Sequence, residues 1–210
     1  FPELKEINLG GGFNYDYEAS DNESKHFDWN SYFSNLNRLI QNYSVSKELK
    51  FILEPGRDLL ADVGQLIVKV NVIEKAYGKE LFEIYTDGSY VFMPSASIRE
   101  RQHQLIFFDK NFNQLSERNN WSQGILNGNT TLSSDYLFPG IVCFPTELSE
   151  NDYILLQDVG AYCATQHMEF LNKRPAAEVL LKENGCLELI TRRGDYKDKI
   201  RYNLTAPLPI

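Results

Sequence analysis

The first sixty residues combine two short apolar runs with one long amphipathic segment. Residues 4–9 have the pattern of a buried strand, which three consecutive glycines bring to an end. Residues 27–43 (FDWNSYFSNLNRLIQNY) place their large apolar side chains on one face of a helix, with Asp28 as the candidate N-cap. Residues 51–53 form a second short strand ahead of EPGR. Strand, helix and strand with glycine-rich exits indicate an α/β arrangement, in which ligands gather at the carboxyl ends of the strands.

From about residue 60 onwards the pattern changes to that of β-structure. The run LIVKVNVIE alternates, with Val68, Val70 and Val72 on one face of a predicted strand. LFEIYTDG, QLIFFD and DYILLQDVGAY are further strand candidates, and AEVLLKENGCLELITRRG predicts a hairpin that turns at Asn184 and Gly185. We therefore expect residues 1–60 to be the end of an α/β domain and residues 61–210 to be a β-rich domain.

Composition narrows the class of protein. With 210 residues, 42% hydrophobic and 13% aromatic, the chain can build a sizeable core. Its net charge of -8 disfavours nucleic-acid binding, and no run reaches the roughly 18 apolar residues that a membrane span requires. Three cysteines are an odd and sparse set that favours a reducing compartment, so we expect a cytoplasmic protein. Because the chain begins without Met and enters a strand at once, we also expect it to be a piece of a longer protein.

Two short motifs stand at the exits of the first two predicted strands. GGGF is either a tight turn with close packing or a cradle whose backbone N–H groups bind a phosphate. The patterns GxGxxG and GK[ST] are absent, so neither a dinucleotide fold nor a P-loop is indicated. EPGR is either an ordinary surface turn or a site in which Arg57 binds a phosphate. In the second case Glu54 could keep a heteroaromatic nitrogen protonated.

Two motifs of the β-rich part are ambiguous on their own. DVGAY, which ends in Tyr162, is by itself typical of a strand end with a packed tyrosine. GIVCFPTE contains Cys143, and a lone cysteine is most often a small buried apolar residue. The three histidines are far apart in the sequence and lack the spacing of metal ligands, so we assign none of them to a metal.

The order of these motifs along the chain resembles one family. A strand ending in GGGF, a helix, a strand ending in EPGR, a β-domain with TDG, a G-x-x-C segment, D-x-GAY and RPAAEVLL are together similar to the pyridoxal-phosphate decarboxylases of fold type III. These are the ornithine, diaminopimelate and arginine decarboxylases and their relatives. The resemblance runs from Ile7 to about Leu181. It implies the last βα units of a (β/α)8 barrel, followed by a C-terminal β-barrel or β-sandwich domain.

The resemblance implies which residues bind the cofactor, pyridoxal 5′-phosphate. Glu54 would pair with the pyridine nitrogen. The cofactor phosphate would be bound by the glycine triplet, by the end of EPGR and by the tyrosine of DVGAY: Gly10, Gly11, Gly12, Gly56, Arg57 and Tyr162.

The resemblance also implies residues that act on an amino-acid substrate. Cys143 would return a proton to the carbon that has lost carbon dioxide, and Asp87 of TDGSY would help to hold the far end of the substrate. Both would act in the partner subunit's site. The resemblance therefore implies a homodimer with shared active sites.

Departures from the family pattern concern the substrate. Where the family often has G-P-x-C-[DE]-S-x-D, this chain reads GIVCFPTE. Phe144 replaces the acidic residue after the cysteine, and Glu147 stands in place of the final Asp. Glu147 is therefore the carboxylate of this segment that could bind the substrate. Diaminopimelate enzymes typically have an arginine in an R-P-A-L segment. Here MPSASIRERQH has Ser95 at that point, and His103 keeps its place near the end. We therefore expect a substrate other than diaminopimelate, with a modified or conjugated far end.

A lysine that binds the cofactor covalently precedes GGGF in the family, and no lysine of this chain has a matching context. The chain alone is therefore expected to be incompetent, and an N-terminal barrel portion, on the same or a separate chain, would carry that lysine. Two alternatives stay open. A catalytically inactive regulatory homologue, like the antizyme inhibitors, is compatible with the altered cysteine motif. An amino-acid racemase or epimerase on a similar barrel is disfavoured by EPGR and the long β-domain.

Overall fold

The computed structural model describes residues 3–19, 23–43, 48–98, 101, 103–115, 120–137 and 140–200. In the first sixty residues two strands pair in parallel, one helix joins them and a second, short helix follows. The bounds are β1 Glu6–Asn8, α1 Trp29–Asn42, β2 Lys50–Ile52 and α2 Arg57–Leu60. The strand–helix–strand order expected from the sequence is confirmed, and the exits of the two strands lie side by side.

Helix α1 begins where the sequence predicts. The Asp28 carboxylate accepts the N–H of Ser31 at 3.0 Å, as an N-cap does. The rings before and within its first turns form one cluster: Phe13, Phe27, Trp29, Tyr32 and Phe33. No residue of α1 is buried, so its apolar face has no full cover among the described residues.

Six further strands form one mixed sheet. They are β3 Leu66–Lys75, β4 Phe82–Thr86, β5 Leu105–Phe108, β6 Trp121–Asn127, β7 Val142–Pro145 and β8 Tyr153–Leu156, with the short helix α3, Pro94–Ile98, between β4 and β5. The order is β5-β8-β3-β4-β6-β7, and only β4 and β6 run parallel. The rings of Phe107 on β5 and Trp121 on β6 lie 6.3 Å apart. The sheet therefore curves into a nearly closed, barrel-like form.

The inner face of this sheet carries the main hydrophobic core. Its central side chains are each at most 2% exposed: Val68, Val70, Ile84, Leu126, Ile154 and Leu156. Val72, expected on the same face, is 41% exposed. The pairing of β3 with β4 shifts register between Val70 and Val72, and this bulge turns Val72 outward. The prediction for Val72 is wrong because alternation in a sequence does not reveal an extra residue in the ladder.

The C-terminal hairpin stands apart from this sheet. β9, Glu178–Leu181, pairs antiparallel with β10, Leu187–Thr191, and helix α4, Tyr196–Ile200, follows. Gly185 in the connecting turn has φ +79°, so the turn expected from the sequence is confirmed. Over the described ranges the structure contains no helix with the length and apolar character to cross a bilayer.

An extended segment and a loop connect the first sixty residues to the sheet. The extended segment follows the glycine triplet, and its Tyr15 and Tyr17 pack with Ala61 and Ala161 in a small separate core. The loop follows β8 and carries DVGAY. A β-carbon on Gly160 of this loop would lie 1.9 Å from the carbonyl oxygen of Leu60 in α2. The loop that carries Tyr162 is therefore seated directly against the helix that begins with Arg57.

Candidate active site

The glycine triplet lies directly against the turn that contains Glu54. The N–H of Glu54 donates to the carbonyl oxygen of Gly10 at 2.8 Å. A β-carbon on Gly11 would lie 2.7 Å from the carbonyl oxygen of Glu54. Gly10 and Gly12 have φ values of +73° and +91°, which glycine adopts without strain. Close backbone approach and positive φ together explain why three glycines end β1.

The side chain of Asn8 connects these two turns. Its carbonyl oxygen accepts the N–H of Gly10 at 2.7 Å, and its amide donates to Glu54 Oε1 at 2.7 Å. The N–H of Gly10 is thus used within the protein. Among the described residues no acceptor is bonded to the N–H groups of Gly11 and Gly12, which leaves both donors for a ligand. The sequence motif did not include Asn8.

Arg57 and Tyr162 come together over Gly56. The guanidinium carbon of Arg57 lies 5.3 Å from the centroid of the Tyr162 ring. A β-carbon on Gly56 would lie 2.9 Å from the Tyr162 hydroxyl oxygen. The Nε of Arg57 is buried and has no hydrogen-bond partner among the described residues. A buried donor without an acceptor is costly, and an anion such as phosphate is the acceptor that suits a guanidinium.

Asp158 holds the loop that carries Tyr162. Its Oδ2 lies 2.9 Å from Nζ of Lys25, with the two side chains 7% and 19% exposed. The same Nζ donates to Gln104 Oε1 at 3.0 Å. Burial, and then the neighbouring Asp158 carboxylate, raise the pKa of Tyr15, so its hydroxyl remains a donor towards Asp158. Sequence reasoning missed this contact because Lys25 lies in a loop that only the fold brings to Asp158.

A second carboxylate fixes the residue that follows Arg57. Asp58 is 1% exposed, and it accepts the N–H of Phe27 and the indole Nε1 of Trp29, each at 2.6 Å. His26 Nδ1 lies 2.9 Å from the carbonyl oxygen of Asp58, and its Nε2 lies 3.3 Å from Asp62 Oδ2. The lead-in to α1 is therefore bound to the first turn of α2. No sequence signal distinguished Asp58 from an ordinary helix residue.

A buried, uncharged cluster adjoins Tyr162. Burial lowers the pKa of His103, whose Nδ1 lies 2.8 Å from the carbonyl oxygen of Gln157. Burial raises the pKa of Cys163, whose Sγ lies 3.8 Å from Oγ of Ser95. At neutral pH the imidazole is therefore neutral and the thiol protonated. Neither group has the perturbation expected of an activated acid, base or nucleophile.

Asp87 leaves the sheet at the end of β4, in a turn that the buried Asp135 organises. Oδ1 of Asp87 accepts the N–H of Lys69 at 2.7 Å. The Asp135 carboxylate is 4% exposed and accepts the N–H groups of Tyr90 and Thr130 at 2.8 Å each. Asp135 thus joins the turn after β4 to the loop after β6. The Asp87 side chain is exposed on this joint structure.

Cys143 lies far from Asp87. On β7 Cys143 pairs with Gln123, whereas Asn127, four residues later on β6, pairs with Tyr85 of β4. Asp87 is two residues beyond Tyr85. At about 3.3 Å per residue these six positions amount to about 20 Å along the strand direction. A single subunit therefore cannot present both side chains to one small substrate molecule.

Tyr162 lies at the same end of the sheet as Asp87. β3 is antiparallel to both β4 and β8, and its early residues Leu66 and Val70 pair with Leu156 and Thr86. The carboxyl ends of β4 and β8 therefore meet at the start of β3. Glu147 follows Pro145, which pairs with Trp121 at the start of β6, so Glu147 lies at the far end with Cys143. The structure brings together the residues expected to bind the cofactor and places Asp87 at their end of the sheet, but not Cys143 or Glu147.

Comparisons with known proteins find similar sequences and structures along almost the whole chain. A family model for the pyridoxal-binding domain of pyridoxal-dependent decarboxylases matches residues 2–61. A diaminopimelate decarboxylase from Haemophilus influenzae is 30% identical over 194 residues, 91% of this chain and 42% of that protein. The structure of diaminopimelate decarboxylase from M. jannaschii in complex with L-lysine matches with a TM-score of 0.79 and 23% identity, over 98% of this chain and 44% of that one. That of carboxynorspermidine decarboxylase from Campylobacter jejuni with norspermidine matches with a TM-score of 0.68 and 23% identity, over 93% and 50%.

Residues 2–61 match the pyridoxal-binding domain of pyridoxal-dependent decarboxylases, and the chain is similar over almost its whole length to diaminopimelate decarboxylases of fold type III. It spans about half the length of the curated relatives it matches, from 42% to 48% of them. The cofactor of the family is pyridoxal 5′-phosphate. The residues present fit that group: two backbone N–H groups, a buried guanidinium N–H and a tyrosine hydroxyl suit its phosphate, and the Glu54 carboxylate suits a protonated ring nitrogen. Among the described residues no three His, Cys, Asp or Glu side chains are grouped as metal ligands.

Proposed function

We propose that this chain is the C-terminal part of an enzyme that decarboxylates an amino acid or an amino-acid conjugate with pyridoxal 5′-phosphate. Residues 1–60 would form the last βα units of a (β/α) barrel, and residues 61–210 the β-rich C-terminal domain. The observation that carries the proposal is the buried Nε of Arg57, which has no acceptor among the described residues and lies beneath Tyr162 next to the glycine turn.

The first task of these residues is to bind the cofactor phosphate. Arg57 offers a forked charged donor, and Tyr162 offers its hydroxyl from the opposite unit. The N–H groups of Gly11 and Gly12 complete the donor set as an anion-binding turn. Gly10 shapes that turn, and Gly56 leaves room for the Tyr162 hydroxyl. The result is a phosphate site shared by both units of the chain.

The second task is to hold a proton at the ring nitrogen, which we assign to Glu54. When bound, the cofactor supplies an electron sink for the carbon that loses carbon dioxide. The Asn8 amide fixes Oε1 of Glu54, so Oε2 is oriented and available to a ring N–H. An adjacent carboxylate favours the protonated form of a nitrogen base through its charge. Glu54→Gln keeps the shape and removes the charge, so we expect it to lower kcat more than it weakens cofactor binding.

Two further parts complete the proposed enzyme. An N-terminal barrel portion, on the same or a separate chain, would carry the lysine that binds the cofactor. A second subunit would contribute its Asp87, so that the active sites of a homodimer are shared. The exposed position of the Asp87 side chain at the end of the sheet supports this role, because a carboxylate there is open to another molecule.

The proposed substrate is of the amino-acid type. The relatives named above include diaminopimelate and carboxynorspermidine decarboxylases, and the two cited structures contain L-lysine and norspermidine. Ser95 is 5% exposed and contacts Cys163, so it offers a substrate no counterpart of an arginine. We therefore expect poor turnover of diaminopimelate, and better turnover of a substrate whose far end lacks a free carboxylate.

A regulatory homologue without activity is the second candidate. The position of Cys143, at the far end of the sheet from Asp87, favours the regulatory homologue, because the site would lack the cysteine that the family uses. The two candidates differ in a simple assay on the full-length protein. Release of carbon dioxide from a panel of diaminopimelate, lysine, ornithine, arginine and carboxylated polyamines is measured together with cofactor absorbance. Bound cofactor with release supports the enzyme, whereas neither cofactor nor release supports the regulator.

A further inference from the structure

The loop after β6, residues 128–135, is built onto the turn that carries Asp87. The N–H of Asn129 donates to the carbonyl oxygen of Gly88, and its side-chain amide donates to the carbonyl oxygen of Asp87, each at 3.1 Å. A β-carbon on Gly128 would lie 2.4 Å from the Asp135 carboxylate. The loop and the turn are therefore one fixed unit, held around the buried Asp135 at the Tyr162 end of the sheet.

The sequence of this loop fits the family pattern G-P-x-C-[DE]-S-x-D better than GIVCFPTE does. GNTTLSSD has Gly128, Ser133 and Asp135 at three fixed positions of the pattern, and Thr131 at the position of the cysteine. GIVCFPTE matches only at its glycine and at Cys143. The sequence alone favours GIVCFPTE because it contains a cysteine. The strand register favours the loop, because of these two segments the loop is the one at the end of the sheet where Asp87 and Tyr162 lie.

We infer that the loop of residues 128–135 faces the reacting molecule, that Thr131 stands at the position of the family's cysteine, and that Cys143 takes no part in the site. This inference rests on the proposed function. Thr131 is exposed. A residue that contacts a ligand bound to a partner subunit must be exposed in the isolated chain. Cys143 is exposed as well, but it lies about 20 Å from Asp87 along the strand direction.

The exchange of a thiol for a hydroxyl changes how the proton is returned. A cysteine thiol has a pKa of about 8.5 and can donate a proton near neutral pH, whereas an aliphatic hydroxyl is far less acidic. Thr131 would therefore orient a water molecule. The bond between carbon and carboxylate breaks, its electron pair stays on the carbon, and water supplies the proton. The hydroxide that remains combines with carbon dioxide to give bicarbonate, which balances atoms and charge.

The test compares the reactivity of single thiols in cofactor-free and cofactor-loaded full-length protein. Iodoacetamide labels the exposed thiols, and mass spectrometry follows each site separately. The wild type reports on Cys143, the Thr131→Cys variant reports on the new position, and the exposed Cys186 of the C-terminal hairpin is the internal control. Pyridoxal 5′-phosphate is the probe, so the result does not depend on knowing the substrate.

We expect loading to slow labelling of the Thr131→Cys thiol at least fivefold and to leave Cys143 and Cys186 within twofold. Protection of Cys143, or no protection of the thiol at 131, would overturn the inference. In a parallel assay Cys143→Ala should retain kcat within twofold, while Thr131→Val lowers it. Wild-type protein that binds no cofactor would instead contradict the proposed function, and the inference with it.

Discussion

The hydroxyl oxygen of Tyr162 lies 2.9 Å from the point that a β-carbon on Gly56 would occupy. The two residues belong to different units of the chain, and their contact closes the proposed phosphate site. A methyl group on Gly56 would therefore contact this hydroxyl directly. The contact therefore makes the site sensitive to a single added carbon.

Gly56→Ala tests this closure. Displacement of the Tyr162 hydroxyl by the new methyl group should raise the dissociation constant of pyridoxal 5′-phosphate about tenfold, which corresponds to about 1.4 kcal/mol. Equilibrium dialysis or an absorbance titration measures the change. Tyr162→Phe removes the same hydroxyl, so the double variant should bind as weakly as Tyr162→Phe alone. Additive losses would mean that the two residues do not meet.

The ion pair between Lys25 and Asp158 should stabilise the loop that carries Tyr162. Asp158→Asn leaves Lys25 buried without its counter-charge, and we expect a loss of about 3 kcal/mol in the free energy of unfolding. Asp158 has φ +60°, and asparagine tolerates this region as well as aspartate, so the variant tests charge rather than backbone strain. Urea unfolding of the full-length protein provides the measurement.

A matched control for that pair is Lys75→Met. The pair of Lys75 with Glu80 is exposed, at 52% and 94%, so its removal should cost less than about 1 kcal/mol. Equal effects of Asp158→Asn and Lys75→Met would show that the Lys25–Asp158 pair contributes no more than a surface contact.

His26 should make stability depend on pH. Burial alone would lower its pKa, but the carbonyl oxygen of Asp58 and the carboxylates of Asp62 and Asp58 raise the pKa above its ordinary value. A raised pKa in the folded state means that protonated His26 stabilises the fold at pH values below its ordinary pKa of about 6.5. This contribution is lost as the pH rises through the higher pKa of the folded state.

The variant His26→Gln isolates that effect. Urea unfolding at each pH measures the loss of stability relative to wild type. This loss should be larger at about pH 5.5 to 6 than at about pH 9, two values that bracket a pKa raised from about 6.5. Burial lowers the pKa of His103, which adds the opposite slope, but His103 is common to both proteins and cancels in the difference. Asp62→Asn should weaken the pH dependence. A difference between wild type and His26→Gln that does not vary with pH would rule out the ion pairs.

Gly160→Ala should be among the most damaging substitutions in the chain. The added β-carbon would lie 1.9 Å from a backbone oxygen of α2, which cannot move aside as a flexible side chain does. We expect a loss of at least about 2 kcal/mol in the free energy of unfolding. Gly78 has open space around its β-carbon position but φ +69°, so Gly78→Ala measures backbone strain without a contact. If Gly160→Ala were as mild as Gly78→Ala, the loop would not be seated on α2 as described.

Local signals in the sequence were enough for the elements that glycine and hydrophobic pattern define. The Asp28 cap and the hairpin around Gly185 follow from residues within a few positions of one another, and glycine-rich exits mark the strands β1 and β2 locally. Strands β6 and β7 were not predicted, because both are short and lack the alternation of apolar and polar residues that marks β3. The bulge at Val72 was not predicted either, because an extra residue in the pairing of β3 with β4 leaves no signal in the sequence of β3.

The candidate site shows the same division. Glycine turns and charged motifs at strand ends predicted the proposed phosphate site, because their chemistry is local. The partners that hold it, Lys25, Asp58 and Asp158, are defined by contacts between distant segments. Cys143 was favoured by its chemical type, and only the register of β6 with β4 and β7 shows how far it lies from Asp87.

The central claim is that Arg57, Tyr162 and the glycine turn form a phosphate site for the cofactor. The most direct measurement compares the dissociation constants of pyridoxal 5′-phosphate and of pyridoxal, which lacks the phosphate, for full-length wild type and for Arg57→Ala. We expect wild type to prefer the phosphorylated form at least about a hundredfold, and Arg57→Ala to lose most of this preference while it binds pyridoxal unchanged, since a charged hydrogen bond contributes about 1.5–3 kcal/mol. An equal preference in both proteins would contradict the claim.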